Sequence, residues 1–271
     1  MRGVGRPVTQ AEGATDDLAT LSVVSHGQGQ LLHLLLSDLR RQVGIERMPI
    51  IVTLNLRGEA LDPARYPELQ LVVVRNERPQ GFAENHNRAF ERCETPRFVV
   101  LNPDLRMPES TTLMRLLRID RHDGRIGLIA PVIVTADGRV EDSIRRNLTP
   151  WTMVRRVLRL DAGTVDPIRP ATLGAGFFWV AGMCMVIDAD AFRRIGGFDE
   201  SYFMYCEDYN LCARLFLGGF SIVVDREVSV IHEAQRSSHR SPRYLRWHLS
   251  SLLRTWCSRT VWEVALRSGQ V

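Results

Sequence analysis

The sequence predicts an α/β protein with a mostly parallel central sheet flanked by helices and a helical extension at the C-terminus. Three observations carry this expectation. Short apolar runs bounded by turn residues recur at 21–25, 50–54, 69–74 and 98–101. Apolar residues at helical spacing follow at 28–41, 82–93 and 109–119, and alternation of this kind buries a parallel sheet between helices. From 240 to 267, arginines mix with Tyr244, Leu245, Trp247, Leu249, Leu252, Leu253, Trp256 and Val261, the pattern of a basic amphipathic helix.

The second half is less regular. Residues 127–134 read as a strand, Asp137-Gly138 as a hairpin turn, and 151–160 as a strongly basic helix. Strands at 178–187 and 220–224 flank helices at 188–195 and 207–217, and a further strand pattern ends at His232. Residues 1–19, rich in Gly, Thr, Asp and Gln, read as a flexible tail, 20–238 as one α/β domain, and 239–271 as the basic helical segment.

Composition narrows the class. With 271 residues, 45% hydrophobic and 24% charged, the chain has the balance of an ordinary globular protein. The net charge of +4 suits a polyanionic ligand or an anionic membrane surface but is small for nucleic-acid binding, and no nucleic-acid module is recognised, so no nucleic-acid partner is expected. The five cysteines form no C-x-x-C pair, which points to reduced thiols in a cytoplasmic protein. The longest apolar run, 177–187, falls short of the roughly 20 residues of a bilayer-spanning helix. Residues 1–19 have no apolar core of a signal peptide, and the expected location is the cytoplasm.

In an open α/β sheet, ligands bind beyond the carboxyl ends of the strands. The residues there are polar: Ser25-His26-Gly27, then Asn55, Asn76 and Asn102-Pro103-Asp104. Gly27-Gln28-Gly29 is not a dinucleotide fingerprint, because the third glycine would fall on Leu32 and Leu54-Asn55 supplies no acid. Between Asn76 and Asn87, Gly81 opens a helix whose amides could face a diphosphate; the alternative is a turn followed by an Asn-rich solvated first turn. Asp104, just past Pro103, either holds a hard divalent cation or forms a turn. Glu207 and Asp208 open a helix, where acids serve as a catalytic base or complement the macrodipole, and being adjacent they should point about 100° apart.

In their order, these pieces resemble a family 2 glycosyltransferase of the GT-A fold, particularly the branch of bacterial rhamnosyltransferases of O-antigen and exopolysaccharide synthesis. The residues that carry the resemblance are Ser25-His26, Asn76 through Gly81-Phe82 to Asn87, Leu101 to Asp104, Gly182, Gly196 to Glu200, Phe203 to Asp208, Leu211, Arg214, Gly218-Gly219 and His232, spanning 20 to about 235. The resemblance implies inverting transfer of a sugar from a nucleotide-diphosphate donor, with Mg2+ or Mn2+ as cofactor. Asp104 then matches the metal-binding acid, with Asn102 in place of a first acid, and His232 a histidine that completes the metal shell. Asp208 matches the catalytic base beside Glu207. Ser25, His26, Asn55, Asn76, Gly81, Asn87, Asn102 and Asp104 would bind the donor. Many relatives carry an acid after the second strand, and 52–55 has none.

Trp179 and Gly182, near the acid pair, are expected on the acceptor side, since aromatic faces suit sugar rings. The acceptor would be a saccharide or a lipid-linked saccharide. The C-terminal segment either lies on the cytoplasmic face of the inner membrane or packs on the catalytic domain. The rival readings are a non-catalytic carbohydrate-binding or assembly subunit and a sugar nucleotidyltransferase. The latter should carry a Gly-rich, Arg/Lys-bearing loop where Ser-His-Gly-Gln-Gly stands.

Overall fold

The computed structural model describes residues 18–119, 125–158, 176–233 and 242–269, together with Leu160 and Val165. Most of the proposed N-terminal tail and the start of the basic segment lie outside these residues. The first half alternates as expected: β1 (Ala19–Ser25), α1 (Gly29–Leu39), β2 (Pro49–Leu54), β3 (Gln70–Arg75), α2 (Phe82–Phe90), β4 (Arg97–Leu101), the short β5 (Leu105–Arg106) and α3 (Thr112–Leu117). Then follow β6 (Ile126–Thr135), β7 (Ile144–Arg145), α4 (Pro150–Val157), β8 (Trp179–Val180), β9 (Cys184–Asp188), α5 (Ala189–Arg194), α6 (Glu207–Leu217), β10 (Ser221–His232), α7 (Pro242–Cys257) and α8 (Arg259–Ser268).

Eight strands form one sheet in the order β3-β2-β1-β4-β9-β6-β10-β5. Strands β3, β2, β1 and β4 pair in parallel, as do β6 and β10, while β9 runs antiparallel to both β4 and β6. Side-chain alternation gives the sheet two cores. Phe98 and Val100 join one with helices α2, α5, α6 and α8; Val99 and Leu101 join the other with α1 and α3.

Two strands differ from the sequence reading. The run at 178–187 breaks at Ala181–Met183: β8 pairs with β7 in a separate two-stranded ribbon, and only β9 enters the main sheet. The break occurs where the amide of Gly182 donates to the Asp208 carboxylate instead of to a ladder. The strand expected at 220–224 continues to His232 through a bulge between Asp225 and Ser229. The bulge faces Pro131 of β6, which has no amide proton to donate.

The C-terminal helices pack on the domain. Leu252, Val261, Val264 and Ala265 are buried, Ser251 Oγ donates to the Met204 carbonyl at 2.8 Å, and Asn147 Nδ2 donates to the Val261 carbonyl at 3.4 Å. The opposite face of α7 exposes Leu245, Leu249 and Leu253. Among the described residues no helix is long and apolar enough to cross a membrane.

Candidate functional site

The site forms where strand ends converge. The carboxyl ends of β1, β2, β4 and β10 meet one edge of the sheet, and because β9 is reversed its first residues, preceded by Gly182, reach that edge too. Two cavities open there. The smaller, about 310 Å³, is lined by His26, Asn55, Asn102, Asp104 and Gly182 and walled by Phe203, Tyr244 and Trp247. The larger, about 550 Å³, lies against Asp142, Arg145, Arg156, Trp179 and His248. Glu207 and Asp208 border both cavities, so their adjacency on the helix does not turn one of them away from the site.

The backbone before α6 explains how the acid pair is presented. Tyr205 and Cys206 both hold left-handed conformations, with φ of 70° and 64°, each costing a non-glycine residue on the order of 1–3 kcal/mol. This sharp turn starts α6 at the cavity wall. The Asp208 carboxylate accepts from the Gly182 amide at 3.1 Å and the Tyr209 amide at 2.8 Å. Burial raises its pKa, against the pull of these two amides and of the Arg145 charge. Glu207 is raised well above the ordinary range, by burial first and then by the neighbouring Asp208 charge, and its buried Oε2 has no hydrogen-bond partner. The Gly182 and Tyr209 amides and the Arg145 charge favour the ionised form of Asp208, so the upward push is the stronger on Glu207.

At the far end of the smaller cavity, Asp104 Oδ2 lies 3.3 Å from His232 Nε2, and His232 Nδ1 lies 2.8 Å from Glu141 Oε2. Burial works to lower the His232 pKa, but hydrogen bonds and charges from Asp104 and Glu141 outweigh it and raise the value to about 9. His232 thus lies between two carboxylates that favour its protonated form, and service as a metal ligand requires Nε2 to give up its proton and exchange Asp104 for the ion. Asp104 itself fits a cation: its Oδ1 is buried and without a partner. Among the described residues no cluster of three or more His, Cys, Asp or Glu is arranged to hold a metal by itself. A cation here would need further oxygens, such as donor phosphates. The Asp104 loop is anchored from below, where Arg106 pairs with the fully buried Asp38 of α1 at 2.7 Å.

The remaining expected donor residues divide into three groups. His26, Asn55 and Asn102 line the smaller cavity. Asn76 sits behind it, donating to Asn55 Oδ1 at 2.8 Å and to Asn85 Oδ1 at 2.7 Å. Asn55 also donates to His26 Nδ1 at 3.1 Å and accepts from the Gln80 amide at 2.9 Å, so the asparagines form a connected net. Ser25 is fully buried and donates to Glu59.

Gly81 and Asn87 correct the sequence reading. The start of α2 is closed by protein: the Phe82 amide donates to the Phe203 carbonyl at 3.1 Å, and a Cβ on Gly81 would stand 2.7 Å from that oxygen. Gly81 is there for close packing, not for approach of an anion. Asn87 turns to the other side of its helix, accepting from the Phe198 amide at 2.9 Å and donating to Glu200 Oε1 at 2.8 Å. On the acceptor side, Trp179 lines the larger cavity but is 6% exposed, its indole nitrogen donating to the Arg146 carbonyl at 2.9 Å. It serves as a packed wall with little open aromatic face. Gly182 lines the smaller cavity and positions Asp208.

Sequence reasoning missed Glu59, Glu141 and Arg145. Glu59 supplies an acid after the second strand, four positions beyond Asn55, where a turn brings it back to Ser25. Its Oε2 is buried and unpartnered. Glu141 follows the Asp137-Gly138 hairpin that returns the chain toward His232, a contact invisible to local pattern.

No family model matches the chain. Among curated proteins, it is 30% identical over 161 residues to N-acetylglucosaminyl-diphospho-decaprenol L-rhamnosyltransferase of Mycobacterium tuberculosis (strain H37Rv), covering 53% of this chain and 49% of that protein. It is 40% identical over 77 residues to rhamnosyltransferase WbbL of Escherichia coli (strain K12), covering 28% of this chain and 29% of WbbL. The chain thus aligns with at most about half the length of these curated relatives.

Among solved structures, it is similar to the mannosyltransferase PcManGT from Pyrobaculum calidifontis in complex with GDP-Man and Mn2+, with a TM-score of 0.59, 16% identity, and coverage of 88% of this chain and 63% of that one. It is also similar to GalNAc-T7 with UDP, GalNAc and Mn2+, with a TM-score of 0.57, 13% identity, and coverage of 85% and 48%. These likenesses show the fold. By sequence the chain is thus similar to bacterial rhamnosyltransferases over about half its length, and its fold is that of the GT-A glycosyltransferases.

Proposed function

We propose that this chain is an inverting, divalent-metal-dependent glycosyltransferase that moves a sugar from a nucleotide-diphosphate donor to a saccharide or lipid-linked acceptor in bacterial cell-surface polysaccharide synthesis, O-antigen among them. One observation carries the reading: Glu207 and Asp208 stand in a wall shared by two cavities, with the unpaired oxygen of Asp104 at the far end of one of them. The smaller cavity takes the donor and the larger the acceptor. PcManGT with GDP-Man and Mn2+ and GalNAc-T7 with UDP and Mn2+ share the fold, and the Mycobacterium relative is named for L-rhamnose transfer to a diphospho-lipid sugar. A nucleotide-diphosphate rhamnose is therefore the first donor to try.

In this mechanism Asp208 accepts the proton of the acceptor hydroxyl as its oxygen bonds to the anomeric carbon, a contribution of roughly 100- to 10,000-fold. The Gly182 and Tyr209 amides hold the carboxylate in place while it does so. Asp104, with His232 beside it, would hold Mg2+ or Mn2+, which when bound stabilises charge on the departing diphosphate. Among the described residues no second nucleophile is evident on the donor side, which favours single displacement and inversion. The enzyme would work at the cytoplasmic face of the inner membrane. Donor hydrolysis and transfer assayed with a panel of nucleotide sugars, with and without Mn2+ or Mg2+, test the reading. A chain that binds saccharide without turning over any donor would be the non-catalytic subunit instead.

A further inference from the structure

The hairpin after β6 delivers a carboxylate to the histidine beside Asp104. Strand β10 runs parallel to β6, with His232 opposite Thr135, the last residue of β6. There the chain turns back. Gly138 takes a left-handed φ of 79°, its amide donates to the Thr135 carbonyl at 2.9 Å, and the Thr135 amide donates to the Arg139 carbonyl at 2.8 Å. Val140 then bridges Val134, and the Glu141 amide donates to the Ile133 carbonyl at 2.9 Å. Backbone bonds from β6 to β10 and to the returning segment thus fix Glu141 and His232 relative to each other, as a site built on rigid elements requires.

Both ring nitrogens of His232 are directed by this frame. A carboxylate accepts hydrogen bonds, so Nδ1–H donates to Glu141 Oε2 at 2.8 Å, and Nε2 is turned toward Asp104 Oδ2, 3.3 Å away. The side chains of Asp104, Glu141 and His232 are 12%, 18% and 14% exposed, so little water competes for the Nδ1 bond, while Asp104 still lines the smaller cavity. A histidine that binds a metal through Nε2 carries its proton on Nδ1, and an outer acceptor of that proton fixes both the tautomer and the ring's direction. Without such an acceptor the proton could sit on either nitrogen and the ring could turn, so Nε2 would face Asp104 only part of the time.

Resting on the metal-dependent reading proposed above, we infer that Glu141 is a positioning residue of the cation site, which holds His232 with Nε2 directed at a cation bound to Asp104 and does not itself touch the ion. This acid, from a hairpin outside the strand ends, decides whether the site presents one protein ligand or two.

The test is Mn2+ binding to the full chain in the presence of UDP, GDP or dTDP, whichever binds the parent most tightly. Continuous-wave EPR gives the affinity, and pulsed EPR gives the nitrogen coupling of a coordinated imidazole. The parent should show that coupling, and H232A should lose it. E141A should weaken Mn2+ binding by about 10- to 100-fold and diminish the coupling, with nucleotide affinity in the absence of metal unchanged. E141Q, whose amide oxygen still accepts from Nδ1–H, should keep the coupling and most of the affinity. In the H232A background E141A should cost nothing further, because Glu141 acts through that ring. If E141A melts at the assay temperature, E141M takes its place, keeping side-chain length without an oxygen. Failure of both variants to fold would make Glu141 a structural residue and overturn the inference.

Undiminished Mn2+ affinity in E141A or E141M, E141Q as damaging as E141A, or a full further loss in the H232A background would each overturn it. So would a nitrogen coupling absent from the parent or surviving in H232A. Mn2+ binding that ignores Glu141 sinks this inference alone and leaves the metal-dependent transferase standing. Sugar transfer that needs no divalent ion, with no Mn2+ bound beside any of the three nucleotides, sinks the metal-dependent reading and this inference with it.

Discussion

Replacing Asp208 with asparagine separates the proposed base from its scaffold. The carboxylate accepts two backbone amides, Gly182 on Oδ2 and Tyr209 on Oδ1. Asparagine keeps one acceptor oxygen and turns an NH2 toward the other amide, so the isosteric change leaves one buried N–H unmatched at about 1–3 kcal/mol. Against this, the variant no longer buries a charge beside Glu207, and the two effects act in opposite directions on stability. Loss of the proton acceptor should lower kcat by roughly 100- to 10,000-fold, equivalent to about 3–5 kcal/mol of transition-state stabilisation.

Nucleotide affinity, which the proposed function assigns to the Asp104 end of the cavity, should change little. The assay is the initial rate of sugar transfer across pH, with calorimetric titration of the nucleotide and a thermal melt beside it. As the proposed base, Asp208 would act when deprotonated, and burial raises its pKa above the ordinary 3.8. The parental rate should therefore fall as pH drops through that raised value, and the residual rate of D208N should lack this acid limb. Transfer by D208N at the parental rate, or an unchanged acid limb, would refute the reasoning.

Other outcomes follow from the same geometry. D104A should abolish the Mn2+- or Mg2+-dependent part of nucleotide binding measured by calorimetry while the melting curve stays cooperative; undiminished metal-dependent affinity would remove Asp104 from the metal site. Glu207, raised in the fold above its ordinary 4.5, costs the parent stability as pH rises from 4.5 through the folded value. E207Q should accordingly gain on the parent in urea midpoint between pH 5 and pH 8, with the gap smallest near pH 4. G81A would place a Cβ 2.7 Å from the Phe203 carbonyl oxygen and should destabilise the fold by about 1–3 kcal/mol, read from chemical denaturation. Deleting 242–271 removes buried Leu252, Val261 and Val264 and should yield an unfolded or aggregated chain by circular dichroism; a cooperatively folded fragment would contradict the packing.

Periodicity alone was enough for the alternating first half, because each strand and helix there buries a face whose spacing local sequence records: Val99 and Leu101 to one core, Phe98 and Val100 to the other. The strand-end position of Asp104 and the pairing of Glu207 with Asp208 at a helix start were legible for the same reason, since each depends on residues close in the chain. Interruptions were not. The break at Gly182 and the bulge in β10 depend on partners 26 residues away and on an adjoining strand. Asn87 shows the limit most plainly: its place in a polar segment pointed to the donor, yet its side chain binds Phe198 and Glu200, 111 and 113 positions on. Glu59 and Glu141 carry no local signal either, nor does the reach of Arg156 back to Asp142, 14 positions before it. Their roles come from which turns the sheet edge gathers together, and side-chain pairing of that kind is decided by tertiary structure alone, because contacts between distant residues leave no period in the sequence.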